Sequence, residues 1–243
     1  VFWRYGVAGF RITRPWLVLL RGLIGVTCFT LYYLALAKLT LADTVTITFA
    51  SPIVIAVLAV LVLKEPVGWR RWCAIIFGFV GVIVVVGPTG KFDDPAVLFA
   101  IGGTVTYALQ NIMTRFLSNG MTGPGIAFYQ MTLFVVFSGL AGLALGHGLF
   151  FDDGQHASIQ FFLRPWQVPE WSDYGFVVVT SLIAAVGFVL LTNAYAVTSP
   201  SLVAPFEYTA LAWGAALDAA LWGVLPDAMT WVGAGIIVAS GLY

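Results

Sequence analysis

The stretch Ala35–Val82, ALAKLTLADTVTITFASPIVIAVLAVLVLKEPVGWRRWCAIIFGFVGV, returns later in the chain in altered form. Its counterpart is Ala194–Gly241, AYAVTSPSLVAPFEYTALAWGAALDAALWGVLPDAMTWVGAGIIVASG. An offset of 159 positions superposes the two without a gap, placing Ala35 on Ala194, Ala37 on Ala196 and Trp72 on Trp231. Each copy reads as a short polar turn, a long apolar segment, a second turn and another apolar segment. The charges change in one direction: Lys64, Arg70 and Arg71 of the first copy become Gly223, Met229 and Thr230 of the second. Positive residues are disfavoured on the translocated side of a membrane. The loss therefore predicts that the second copy crosses the bilayer in the opposite sense, although drift alone would also produce it.

Composition places most of the chain in lipid. Of its 243 residues 60% are apolar and 9% charged, and the mean hydropathy is +0.98. Soluble domains carry about 25% charged residues, so this chain is too poor in charge to cover its own surface in water. Net charge is zero, and nothing points to a nucleic-acid partner. A spanning helix needs about 20 mostly apolar residues. Seven segments qualify, at 16–37, 44–63, 70–87, 95–117, 123–146, 173–197 and 202–222, and an eighth runs over 228–243. They are too long and too uniformly apolar for the alternating strands of a membrane barrel. The long apolar segment of the second copy comes five helices after that of the first, and an odd number inverts the topology.

The connections are short and rich in Pro and Gly, except for 147–172, which reads as a polar, aromatic loop lying on the interface with Trp166 and Trp171 at headgroup depth. Loops on one side carry Arg11, Arg14, Lys64, Arg70, Arg71 and Arg115, with Arg21 taken as a helix-start residue of the same side. The other side carries Lys38, Lys91 and Arg164. The richer side is expected in the cytoplasm, which puts 147–172 outside. The opening VFWRYGVAG starts like an apolar helix and meets the basic FRITRPW after too few residues to span, so a discontinuity is expected near Gly9–Phe10.

Inverted repeats are an architecture of secondary transporters, with the solute site near the midplane between the copies. LADTVTITFASPIVIAVLAVLVLKEPVGWRRW and SLVAPFEYTALAWGAALDAALWGVLPDAMTWVGAGIIVASGLY resemble the two signature halves of the EamA family, in the drug/metabolite transporter superfamily; TYALQNIMTRFL and RYGVAGF are similar to it too. The resemblance implies an all-α polytopic ten-helix bundle of two inverted five-helix repeats. It also implies that the first helix and most of the second are missing from this chain. The repeats would divide as 1–90 and 91–243. The resemblance further implies a carrier of small metabolites, an exporter of amino acids or related amphipathic solutes in a bacterial inner membrane. Where the family has Gly-Glu-x-Pro-Asp in its second turn, this chain reads Gly223-Val224-Leu225-Pro226-Asp227. A glutamate's role there is lost, whereas Glu65 remains in the first copy.

Polar side chains on apolar helices mark the candidate site. Gly103, Tyr107, Gln110, Asn111 and Thr114 recur at helical spacing and form one stripe on 95–117. In lipid such a stripe faces protein or water. It reads either as interhelical hydrogen bonding or as a cavity wall. Thr44, Thr48, Ser51 and Pro52 share a face, and Pro52 is expected to kink its helix. Asp43 reads as an N-cap or as a gate at the outer end.

Glu207 and Asp218, eleven apart, fall on one helical face; each reads either as a capped or snorkelling acid, or as a proton carrier or partner for a substrate amine. Tyr208 and Trp213 offer aromatic surfaces for a ring or a cation. The substrate site is thus expected from Tyr107, Gln110, Asn111, Thr48, Ser51, Glu207, Tyr208 and Trp213, with Glu207, Asp218 and Asp43 for proton transfer or gating. Asn193, Tyr195, Tyr129 and Gln130 rank second, and Gly22 and Gly25 are expected to admit a close helix.

Cys28 and Cys73 sit in apolar runs as inert small residues. His147 and His156 lack a second metal-binding cluster, Asp152 and Asp153 read as solvated, and no catalytic motif is present, so no cofactor, metal or enzymatic activity is expected. The competing readings are a membrane enzyme and a closed structural bundle. Monomer and homodimer both remain open.

Overall fold

The computed structural model describes residues 10–87, 94–152, 154–223 and 228–242, less the side chains of Ser172, Asp218, Leu221, Trp222, Gly241 and Leu242. The discontinuity expected near Gly9–Phe10 lies outside the described residues, as do Lys91 and Asp153. Every regular element among the described residues is a helix: α1 Pro15–Leu36, α2 Leu41–Thr48, α3 Ser51–Leu63, α4 Trp69–Val86, α5 Ala96–Leu117 and α6 Gly123–Leu145 come first. They are followed by α7 Ala157–Leu163, α8 Trp171–Val197, α9 Pro200–Val203, a 3-10 segment Ala204–Tyr208, α10 Thr209–Trp222 and α11 Ala228–Leu242. Six stretches are long and apolar enough to cross a bilayer: Pro15–Leu36, Leu41–Leu63, Trp69–Val86, Ala96–Leu117, Gly123–Leu145 and Asp173–Val197.

Two of the expected spans are broken, each beside a proline. Pro52 has no N–H to give the Thr48 carbonyl, and its ring crowds that turn. Helix α2 accordingly ends at Thr48 and α3 begins at Ser51. The seventh expected span, 202–222, is not one helix. Pro205 cannot bond the Ser201 carbonyl, and the chain tightens into the 3-10 segment before α10 resumes at Thr209. Neither Glu207 nor Tyr208 is therefore on the regular helical face expected for it. Asp43 is not an N-cap. Thr40 is: its Oγ1 accepts from Asp43 N at 3.1 Å and donates to Asp43 Oδ2 at 2.7 Å.

Packing is built around α5, which runs along α1 and also touches α3 and α8, while α6 lies against α1 and α8. Helices α4 and α11 pack along each other through small residues and both touch the 3-10 segment. A Cβ built at Gly78 would stand 3.0 Å from Ser240 Oγ, and one built at Gly81 would stand 2.8 Å from Ile237 Cγ1. Adding or subtracting 159 turns the first of these contacts into the second. The stacked rings of Phe49 and Tyr208, 6.2 Å apart, are likewise 159 positions apart.

The two ends of the bundle differ. One, here the basic end, gathers Arg14, Lys64, Arg70, Arg71 and Arg115. There Arg71 Nη1 donates to Ser201 Oγ at 3.1 Å and Arg115 Nη1 to the Ala196 carbonyl at 2.9 Å. At the opposite, loop end, the short α7 is tied down by Ser158 Oγ donating to the Leu34 carbonyl at 2.6 Å. His156 Nε2 lies 3.3 Å from Asp94 Oδ1 there. The Ala96 amide, then His156 and Lys38, hold the Asp94 carboxyl below its ordinary value. That favours the folded loop end above the ordinary carboxylate pKa and lapses as the pH falls through the lowered one.

A side chain at Gly81 has no room, because the Gly233 carbonyl stands 3.0 Å from its Cβ position. Gly81→Leu is expected to separate α4 from α11 and to cost about 1–3 kcal/mol, as overpacking does. A lowered midpoint for loss of the monodisperse peak on heating in detergent checks this; an unchanged midpoint refutes the packing.

Candidate functional site

The break at Pro205 sets Glu207 into the bundle rather than along a helix face. Its Oε1 accepts two hydrogen bonds, from Tyr107 Oη and from Tyr195 Oη, both at 2.7 Å. Tyr107 lies at the middle of α5 and Tyr195 near the end of α8, so the carboxylate is held at mid-depth by two helices distant in sequence. Both bonds land on Oε1, and no side chain among the described residues bonds Oε2. A carboxylate in a membrane core costs about 2.5–3.5 kcal/mol, and two hydroxyl donors offset part of that.

Glu207 opens onto a cavity of about 540 Å³. Thr48 and Ser51 from the α2–α3 break, Tyr107 and Gly103 from α5, and Trp213 from α10 line it with Glu207. Helix α1 adds Cys28, Phe29 and Tyr32. The wall is therefore mostly aromatic and apolar, with a carboxylate and a few hydroxyls at its centre. Such a surface suits an amphipathic solute carrying a cation or a hydrogen-bond donor.

Other expected residues lie elsewhere. Tyr208 is fully buried, stacked on Phe49 and set against Gly78, and does not line the cavity. Gln110 and Asn111 are buried behind the wall, not on it; Gln110 Oε1 and Asn111 Nδ2 find no partner among the described residues. Asp43 belongs to the cap of α2. Asp218 is on the α10 backbone, with its side chain outside the described residues. Asn193 packs against Gly123, and Tyr129 Oη donates to the Phe10 carbonyl at 2.6 Å.

Sequence reading missed two residues. Tyr195 ranked below the wall residues, though it donates directly to Glu207. Arg21, counted with the basic loops, is 2% exposed inside the bundle. A signal for the first existed: a carboxylate at membrane depth needs a donor, and Tyr195 shares the repeat copy that holds Glu207. Nothing local distinguished Arg21 from the other basic residues near its helix start. Cys28 and Cys73 are unpaired, and Cys28 Sγ donates to the Gly103 carbonyl at 3.4 Å.

Residues 1–87 match the model of the EamA-like transporter family. Over those residues the chain is similar to the EamA family. Similar proteins align over nearly all of the chain. An S-adenosylmethionine uptake transporter from Rickettsia prowazekii is 26% identical over 98% of the chain and 74% of the relative. A riboflavin transporter from Rhizobium johnstonii is 25% identical over 99% and 73%. The pseudopaline exporter CntI of Pseudomonas aeruginosa is 25% identical over 96% and 75%. A solved crystal structure superposes with a TM-score of 0.78, covering 95% of the chain and 76% of its own at 17% identity, which establishes a shared fold. With its apolar helices, the protein is an integral, multi-pass membrane protein, similar to carriers of small metabolites.

Removing the carboxylate strands both tyrosine hydroxyls. Glu207→Ala is expected to destabilise the protein by about 1–3 kcal/mol, the cost of buried unpaired polar groups, whereas Glu207→Gln keeps an acceptor and loses less. Thermal midpoints of the two variants in detergent test the order; equal midpoints contradict the bonding described.

Proposed function

We propose that this protein is a secondary transporter of amino acids or related amphipathic metabolites, working by alternating access around the 540 Å³ cavity. The observation that carries the reading is a carboxylate at mid-depth, tied to two tyrosines through one oxygen and facing a mostly apolar hollow. That is a place to hold a substrate ammonium or a proton. The aromatic wall formed by Phe29, Tyr32, Phe49, Phe206 and Trp213 would carry the apolar part of the solute.

The 159-position offset supports two inverted copies, 1–90 and 91–243, as the moving bodies. It relates Gly78–Ser240 to Gly81–Ile237, pairs Phe49 with Tyr208, and sets Thr48 opposite Glu207, both on the cavity. Contacts that exchange under one offset are what a two-fold axis in the membrane plane produces. The full carrier would then be the ten-helix bundle, in a bacterial inner membrane with the basic end inside and 147–172 outside. Relatives named for uptake and for export share this span. The direction, export in the sequence reading, would follow the gradients imposed on a reversible carrier.

Reconstituted in liposomes, the protein is expected to exchange labelled amino acids. S-adenosylmethionine and riboflavin serve as the comparison solutes. An inward proton gradient should accelerate exchange by wild type and leave the slower exchange expected of Glu207→Gln unchanged. Absence of exchange for every solute, by folded protein, refutes the transporter reading. A proton response that survives Glu207→Gln refutes the proton role alone.

A further inference from the structure

Arg21 is a cation inside the bundle with no acid beside it among the described residues. It stands in the second turn of α1 and is 2% exposed. Its Nε donates to Thr114 Oγ1 at 2.9 Å and its Nη1 to Gln130 Oε1 at 3.0 Å. Both partners are neutral, and among the described residues no carboxylate pairs with the guanidinium. Charged groups within spans are rare because they are expensive, and they usually pair or mark the path of an ion or solute.

Its position links it to the cavity. Tyr107, Gln110, Asn111 and Thr114 lie on one stripe of α5; Tyr107 lines the cavity and Thr114 holds Arg21. At 1.5 Å per residue the two ends of that stripe are about 10 Å apart along the axis. Between them lie Gln110 Oε1 and Asn111 Nδ2, both buried and without partners among the described residues. Gly25 makes the room: a Cβ there would collide with Gln110 Oε1 and Gln130 Nε2. A polar track therefore runs from the Glu207 carboxylate in the cavity to a guanidinium near the basic end.

We propose that Arg21 recognises an anionic group of the transported solute, a carboxylate, at the basic end of this track. The inference rests on the transporter reading and narrows its substrate class. The two charges engage a zwitterion in turn, Glu207 its cationic end in the cavity and Arg21 its carboxylate, which reaches the guanidinium when α1 parts from α5 and α6. A guanidinium suits this role because its fork of donors matches a carboxylate and stays charged.

The experiment reads access and charge preference without needing the natural solute. In a Cys28→Ala, Cys73→Ala background, Thr114→Cys is placed beside Arg21 in liposomes. It is labelled with sulfonatoethyl or trimethylammonioethyl methanethiosulfonate, each rate divided by that of a free thiol. The anionic reagent is expected to be favoured roughly tenfold, the scale of a charge-assisted bond. Arg21→Gln should remove that preference and Arg21→Lys keep most of it. Ser51→Cys, on the cavity, serves as the control for access. If Thr114→Cys stays unlabelled while Ser51→Cys reacts, or the preference survives Arg21→Gln, the proposal is overturned.

A second arm compares exchange of L-phenylalanine with L-phenylalaninamide. Wild type should favour the acid and Arg21→Gln should not; equal discrimination by both also overturns the proposal. Failure of wild type to move any solute counts against the transporter reading, and the labelling result still decides whether an anion reaches Arg21.

Discussion

A carboxylate in lipid must be answered by donors, and the hydrogen bonds from Tyr107 and Tyr195 to Glu207 are that answer. They fix more than a side chain. They join the middle of α5 and the end of α8 to the 3-10 segment between α9 and α10. The cavity exists because these elements meet at one oxygen rather than packing flat. Without Pro205 the segment could continue as a regular helix, and Glu207 would face a direction set by helical period alone.

The two proline breaks follow from the same constraint. Inside a membrane an unpaired carbonyl needs protein or water, and irregular backbone is tolerated where it lines a cavity. Thr48, at the break before Ser51, and Glu207, in the 3-10 segment, both lie on the cavity. The prolines fall at different places in the two copies, Pro52 and Pro205, yet both interrupt the helix that reaches the centre. What the copies share is a break at that depth, and what distinguishes them is the charge placed there: a threonine in one and a carboxylate in the other.

Charge inside the bundle is sparse and divided. Glu207 is satisfied by neutral hydroxyls and Arg21 by neutral oxygens, so neither neutralises the other. A structural ion pair would bring them together and close the gap. Holding them apart along α5 leaves each with capacity for a further partner, and that separation suits a pathway better than a lock.

The apolar runs, the 159-position offset and the loss of Lys64, Arg70 and Arg71 in the second copy were legible in the chain itself, because hydropathy and loop charge act locally and additively. So were the stripe on α5 and the candidacy of Thr48, Ser51, Tyr107, Glu207 and Trp213, since a polar or aromatic side chain among aliphatic ones is conspicuous wherever it points. What only the tertiary structure decided is which of these face the hollow. Gln110 shares the stripe with Tyr107 but turns into the α1 and α6 packing, Asn111 is buried off the cavity, Tyr208 turns under Phe49, and Arg21 leaves the basic surface for the interior. Periodicity places residues on a helix; the direction that face takes depends on how neighbouring helices pack and where proline breaks them, and those contacts come from distant parts of the chain.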